Sequence, residues 1–189
     1  MTDALATEVL VFWFGSPRLS DEVAYREAWF KRDEAFDAAI AAGFSTATEA
    51  AIAGGLDTMA VDAEGALALT ILLDQFPRNL FRGGPRAFAG DERARRIAGF
   101  ALQRGLDRAM SRYHRMFLYL PYEHSESLAD QERSVELFAT IGDERAYDYA
   151  VRHRDVIARF GRFPHRNAMI GRDSTAEEIE FLKTPGSSF

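Results

Sequence analysis

Apolar residues recur along this chain every three to four positions, and hardly ever every two. That spacing predicts helix after helix. Residues from about Thr2 to Phe14 read as a strongly apolar first helix, closed by Gly15, Ser16 and Pro17. Ser20 is the expected N-cap of a second, running through Tyr25, Trp29, Phe36 and Ile40 to a stop at Gly43. Thr46 with Glu49 has the spacing of a capping box for a short helix ending near Gly54. The segment "DAEGALALTILLDQF", opening at Asp62, is apolar almost all round, as a buried central helix should be.

Pro77 permits a short new turn. Asp91 is the expected cap of a helix stopped by Gly105, and a further helix is expected within Leu106 to Leu120, ending before Pro121. Ser125 or Ser127 would start the next, reaching Gly142. Asp143 opens a long helix to Phe160 with Gly161 as its stop, and Thr175 with Glu178 reads as another capping box. No segment shows a convincing period-two alternation, so the fold class is all-α. At 189 residues the simplest organisation is one helical domain over 1–189, with 183–189 as a tail whose Phe189 has a groove to seek.

Composition narrows the chemistry. The chain has no cysteine, which removes disulfides, thiolate metal sites and cysteine nucleophiles. No apolar run approaches the roughly 20 residues needed to cross a bilayer, and Asp3 and Glu8 stand where a signal peptide carries bases. A cytoplasmic protein with no membrane partner is the expectation. The net charge of −6 argues against generic nucleic-acid binding. The charge is unevenly spread, however. From Val151 to Arg172 six arginines face the single acid Asp155, a local balance of +5 that leaves −11 elsewhere.

Three turns collect the polar chemistry. In "DQFPRN" and just beyond it, Asp74 lies at the end of the apolar helix and needs a cation, with Arg78, Arg82 or an arginine of the later turn available, and Asn79 beside them. "PYEHSES" places His124 between Glu123 and Glu126, where it can serve as base, ligand donor or anion contact, or where the serines simply cap a helix. "RFGRFPHRN" follows a helix stop with Arg162, His165, Arg166 and Asn167 in a turn fixed by Pro164. His153 lies on the apolar stripe of the preceding helix, where a histidine is ordinarily a hydrogen-bonded core residue. No two histidines have metal-motif spacing, and neither a phosphate loop nor a nucleophile elbow is present, so no metal or cofactor is expected.

The segments "LALTILLDQFPRNLFRG", "FLYLPYEHSESLADQERSVELF" and "YAVRHRDVIARFGRFPHRNAMIGRDSTAEEIEFLKTPGSSF" closely resemble the bacterial family known as domain of unknown function 924, as do "VLVFWFG" and "AWFKRDEAFD". The resemblance covers essentially the whole chain. It implies a tetratricopeptide-repeat-like, right-handed stack of antiparallel helix pairs, a shape whose concave face holds peptides or ligands. It implies no activity. The leading expectation is a binding module in which the three turns converge. Arg78, Arg82, Arg162 and Arg166 would then grip an anionic small molecule or peptide, Asn79 and Asn167 would orient it, and His124 and His165 would confer pH sensitivity. An acid–base hydrolase using His124 or His165 with Glu126 or Asp74 is the alternative, and a purely structural polar cluster is the third.

Overall fold

The structure, a computed structural model, describes residues 2–188, and among these it is helical throughout, with no strand. Nine α-helices follow one another among the described residues. They are α1 (Thr2–Phe14), α2 (Glu34–Ile52), α3 (Ala63–Asp74), α4 (Phe76–Leu80), α5 (Asp91–Gln103), α6 (Arg112–Glu123), α7 (Leu128–Ala139), α8 (Glu144–Phe160) and α9 (Ala176–Leu182). Contacts divide the chain into two compact units. The first takes the residues up to Arg82 and Arg86–Pro121; the second takes Gly83–Pro85 and the residues from Tyr122 onward.

The first unit is built around α3, every residue of which from Gly65 to Asp74 is buried. The all-round apolar pattern is thus a consequence of neighbours on every side, with α1, α2 and α5 all packed against it. Two glycines make that packing possible. A Cβ on Gly65 would stand 1.8 Å from the Met59 carbonyl oxygen, and one on Gly90 would stand 2.1 Å from that of Leu73. Next to α3 lies an aromatic core in which Trp13 meets Trp29, Phe36, Phe76 and Phe117.

Several element boundaries differ from the sequence expectation. Residues 20–33 carry only a short 3₁₀ turn, Glu27–Trp29, and α2 is capped by Asp33, whose carboxylate accepts from the Ala35 and Phe36 amides. Ser20 caps no helix there because its neighbours have another task. Arg26 donates to the Phe12 and Trp13 carbonyls at 2.6 and 2.8 Å, and the Trp29 indole donates to Trp13 O at 3.0 Å. The end of α1, which would otherwise leave bare carbonyls, is closed by this irregular segment.

Helix α2 then runs through Gly43 and through the supposed capping box at Thr46 and Glu49. Its buried stripe of Phe36, Ile40, Phe44, Thr48 and Ala51 crosses both, so packing outweighs a glycine's cost of about 1 kcal/mol. The N-cap of α5 is Gly90 rather than Asp91. Helix α6 starts at Arg112, inside the expected span, but includes Pro121 near its end and reaches Glu123. Other boundaries match. Asp62, Ser127 and Asp143 cap α3, α7 and α8, Gly161 ends α8 in the left-handed conformation (φ +69°), and Thr175 with Glu178 forms a capping box. The expected docking of Phe189 lies outside the described residues. No helix is long and apolar enough to cross a membrane among the described residues.

The contact at Gly90 yields a direct test. Gly90→Ala must push the start of α5 away from Leu73, and overpacking of this kind costs about 1–3 kcal/mol. Denaturant unfolding should show a lower midpoint with an unchanged slope. By contrast Gly43→Ala, where an added Cβ meets nothing within 4 Å, should stabilise the fold.

Candidate functional site

Asp74, Arg78, Asn79 and Arg82 belong to the first unit, and their charges are matched within it. Asp74 is fully buried, with Arg78 Nη1 at 3.3 Å and the Gln75 amide donating to its other oxygen at 2.5 Å. Arg78 also makes a two-pronged bond to Asp91 at 2.8 and 3.0 Å. Burial works against the charge on Arg78, but Asp74 and Asp91 outweigh it and raise its pKa. Asn79 donates to Asp37 at 2.7 Å, and Arg82 grips the same carboxylate with two bonds near 3 Å. The cation that Asp74 required is the one four residues on.

The other seven candidates lie together in the second unit. Gly161 stops α8 and Pro164 opens a 3₁₀ turn, Pro164–Arg166, after the buried Phe163. Phe163 packs with Val156 and Ile157 of α8, which fixes the turn on the helix that precedes it. Around the Phe163 ring stand three basic side chains. The Arg166 guanidinium lies 4.5 Å from the ring centre, His165 is tilted at 5.6 Å, and His153 meets the ring edge-on at 5.6 Å. His124, from the connection after α6, is 6.5 Å from His153, centre to centre.

Carboxylates hold this arrangement in place. Glu126 accepts from Arg172 at 2.6 and 2.8 Å and from the Phe163 amide at 2.8 Å. Burial pushes the Glu126 carboxyl up, but Arg172 and the Phe163 N–H outweigh burial and hold it below its ordinary range. Arg162 grips Glu178 with two bonds at 2.6 and 2.8 Å, which, helped by the Thr175 amide, keeps that carboxyl at about 2. Asn167, buried, donates to Ser174 and accepts from Arg172, so its amide locks the turn.

His153 is 3 % exposed. Its Nδ1–H donates to the Tyr149 carbonyl at 2.8 Å, and Glu123, also buried, approaches the same nitrogen at 3.5 Å. That bond sets the tautomer, with the neutral ring protonated at Nδ1. Burial drives its pKa down to about 3, and the positive neighbours His124, Arg166 and His165 push the same way, against the bond to Tyr149. An imidazole so weakly basic is a poor proton acceptor at neutral pH. Of the carboxylates named for the hydrolase alternative, Glu126 binds Arg172 and Asp74 binds Arg78. No group of three or more His, Asp or Glu side chains is placed to hold a metal ion among the described residues.

Two participants were invisible in the sequence. Arg172 reaches Glu126 across 46 positions, and the fully buried Gln131 of α7 donates to the Glu123 and Ser125 carbonyls at 2.6 and 2.7 Å. Gln131 thereby closes the end of α6 just before His124. Both lie within the segments that carry the family resemblance, but no local spacing links Arg172 to Glu126 or Gln131 to the end of α6.

An all-helical protein with a basic cluster gathered on one phenylalanine is the class the geometry defines. The sequence matches the model for "Bacterial protein of unknown function (DUF924)" over residues 9–186, and the chain belongs to this family. It is also similar to a solved structure of a protein of unknown function from Agrobacterium tumefaciens, at 42 % identity and a TM-score of 0.88, over 97 % of this chain and 99 % of that one. No curated protein matches the sequence.

The state of His153 makes stability depend on pH. Unfolded, an imidazole binds its proton near pH 6.5, whereas the folded ring resists it to about 3. The contribution is therefore complete above about 6.5 and is lost as pH falls toward 3. Between pH 7 and 5 the loss from this residue is about 2 kcal/mol. Thermal unfolding should show it, and His153→Gln should flatten the profile over that range.

Proposed function

We propose that the protein is a binding module for an anionic small molecule or peptide, held at the cluster around Phe163. The carrying observation is a gathering of basic side chains. Arg166, His124, His153 and His165 meet there beside the buried Glu123, and two nearby carboxylates, Glu126 and Glu178, each hold an arginine. A protein interior tolerates such a concentration of basic groups most readily when an anion joins it. Arg166, 8 % exposed, is pre-oriented by its stacking on Phe163, which lowers the entropy lost when it bonds an oxyanion.

Against the wider set of candidates, the reading narrows. Arg78, Arg82 and Arg162 already make two-pronged bonds to carboxylates, and Asn79 and Asn167 are bonded to side chains of their own units. Their part is to fix the turns. His124, His165 and Arg166 are the ligand contacts, with His153 and Phe163 as the platform. The architecture we infer with it is the tetratricopeptide-like stack of antiparallel helix pairs, the α7–α8 hairpin being one such pair.

Isothermal titration with inorganic phosphate tests the reading. Arg166→Leu should weaken binding at least tenfold, about 1.4 kcal/mol, with the helical circular dichroism unchanged. Arg82→Leu, which removes only a half-exposed pair with Asp37, should leave the affinity as it was. Equal phosphate affinity in the Arg166 and Arg82 variants would count against the site.

A further inference from the structure

We propose that His114 is an acid-sensitive latch: neutral, it holds residues 16–33 against the start of α6, and on gaining a proton it releases them. The latch lies wholly within the first unit and does not depend on the anion-binding reading. His114 stands fully buried in the first turn of α6, with its ring tilted on that of Phe14 at 4.2 Å between centres. Its Nδ1 is 2.8 Å from the Ser111 hydroxyl. Its Nε2 is buried and meets no hydrogen-bond partner among the described residues. With the ring proton on Nδ1, Nε2 is a bare lone pair, which the fold can leave so. A second proton there would be a charged donor with nothing to accept it.

Ser111 joins this ring to the irregular segment. Its hydroxyl meets His114, and its amide donates to the carbonyl of the buried Leu19 at 2.7 Å. Further along, Arg26 and Trp29 hold the segment to the end of α1, and its own regular structure is one 3₁₀ turn. A stretch held by so few bonds can open while the helices around it stay folded. The surroundings oppose a charge on the ring. Phe14 of α1 brings none, and the first turn of α6 is the positive end of a helix dipole. Arg112 and Arg115 of α6 lie over the rings of Tyr113 and Tyr119. From the segment, Asp21 favours the proton, but its carboxylate is already bonded by Ser16 and Arg18 at 2.6 and 3.2 Å. Burial outweighs Asp21 and brings the His114 pKa down to about 4.

The direction follows from the two states. A released ring binds its proton near pH 6.5, and the enclosed ring resists it to about 4. Above about 6.5 the latch is shut at full strength. Between about 6.5 and 4 each unit of falling pH favours the open form by up to tenfold, the limit for one proton.

Both tryptophans of the chain, Trp13 and Trp29, are buried at this junction, so intrinsic fluorescence reports on it directly. Titration of the intact chain from about pH 7.5 to about 3.5 should shift the tryptophan emission to the red between about 6.5 and 4. The helical circular dichroism should hold through that shift. His114→Phe, which keeps a ring against Phe14 and takes up no proton, should remove the transition, and His114→Gln checks the same point with a smaller side chain. Asp21→Asn withdraws the charge that favours the proton on the enclosed ring and should move the opening to higher pH. His153→Gln, in the second unit, should leave the emission profile as it is. A transition unchanged in both His114 variants overturns the latch, as does its loss in His153→Gln. Emission and helical signal that change together mark general unfolding and overturn the local release, and emission that stays constant to about pH 3.5 overturns the proposal outright.

Discussion

An ionised carboxylate at the C-terminal end of a buried helix faces two penalties, lost hydration and the negative end of the helix dipole. Asp74 is in that position, closing a helix buried along its length, and its match with Arg78 is the interaction on which the first unit depends. The consequences spread outward. Arg78, held by Asp74, also takes Asp91 and so anchors the first turn of α5, which Gly90 has already brought against Leu73. One buried charge thus fixes how three successive elements meet: α3, the short α4 and α5.

The second unit solves the same problem differently. Glu126 and Glu178 are also matched by arginines, but these come from far along the chain, so the pairs staple separate turns together. The residue they leave at the centre is Phe163, with no charge at all. Around it stand an arginine and, directly or through His153, three imidazoles, with the buried Glu123 approaching His153 at 3.5 Å.

Much of the organisation was legible beforehand. The caps at Asp62, Ser127, Asp143 and Thr175, and the stop at Gly161, are local effects, decided by a side chain and the few amides within its reach. The failures were local signals overruled from outside. Ser20 looked like a cap, but the residues after it are held by the end of α1. Gly43 and Thr46 looked like a break, but an apolar stripe four residues in period runs straight through them. In each case burial outweighed a preference of about 1 kcal/mol or less.

The same division governs the site. The sequence by itself determined the all-helical class, the family and the turns in which His124, His165 and Arg166 lie, and it offered Arg78, one helical turn on, as one of several cations for Asp74. Only the tertiary structure decided that Arg78, Arg82 and Arg162 are matched to carboxylates. It alone brought Arg172 to Glu126 across 46 positions and His124 beside His153 across 29. Local pattern records what a residue does within a turn or two of helix. The pairing of charges across long separations depends on which surfaces the buried apolar stripes press together, and spacing along the chain does not encode it.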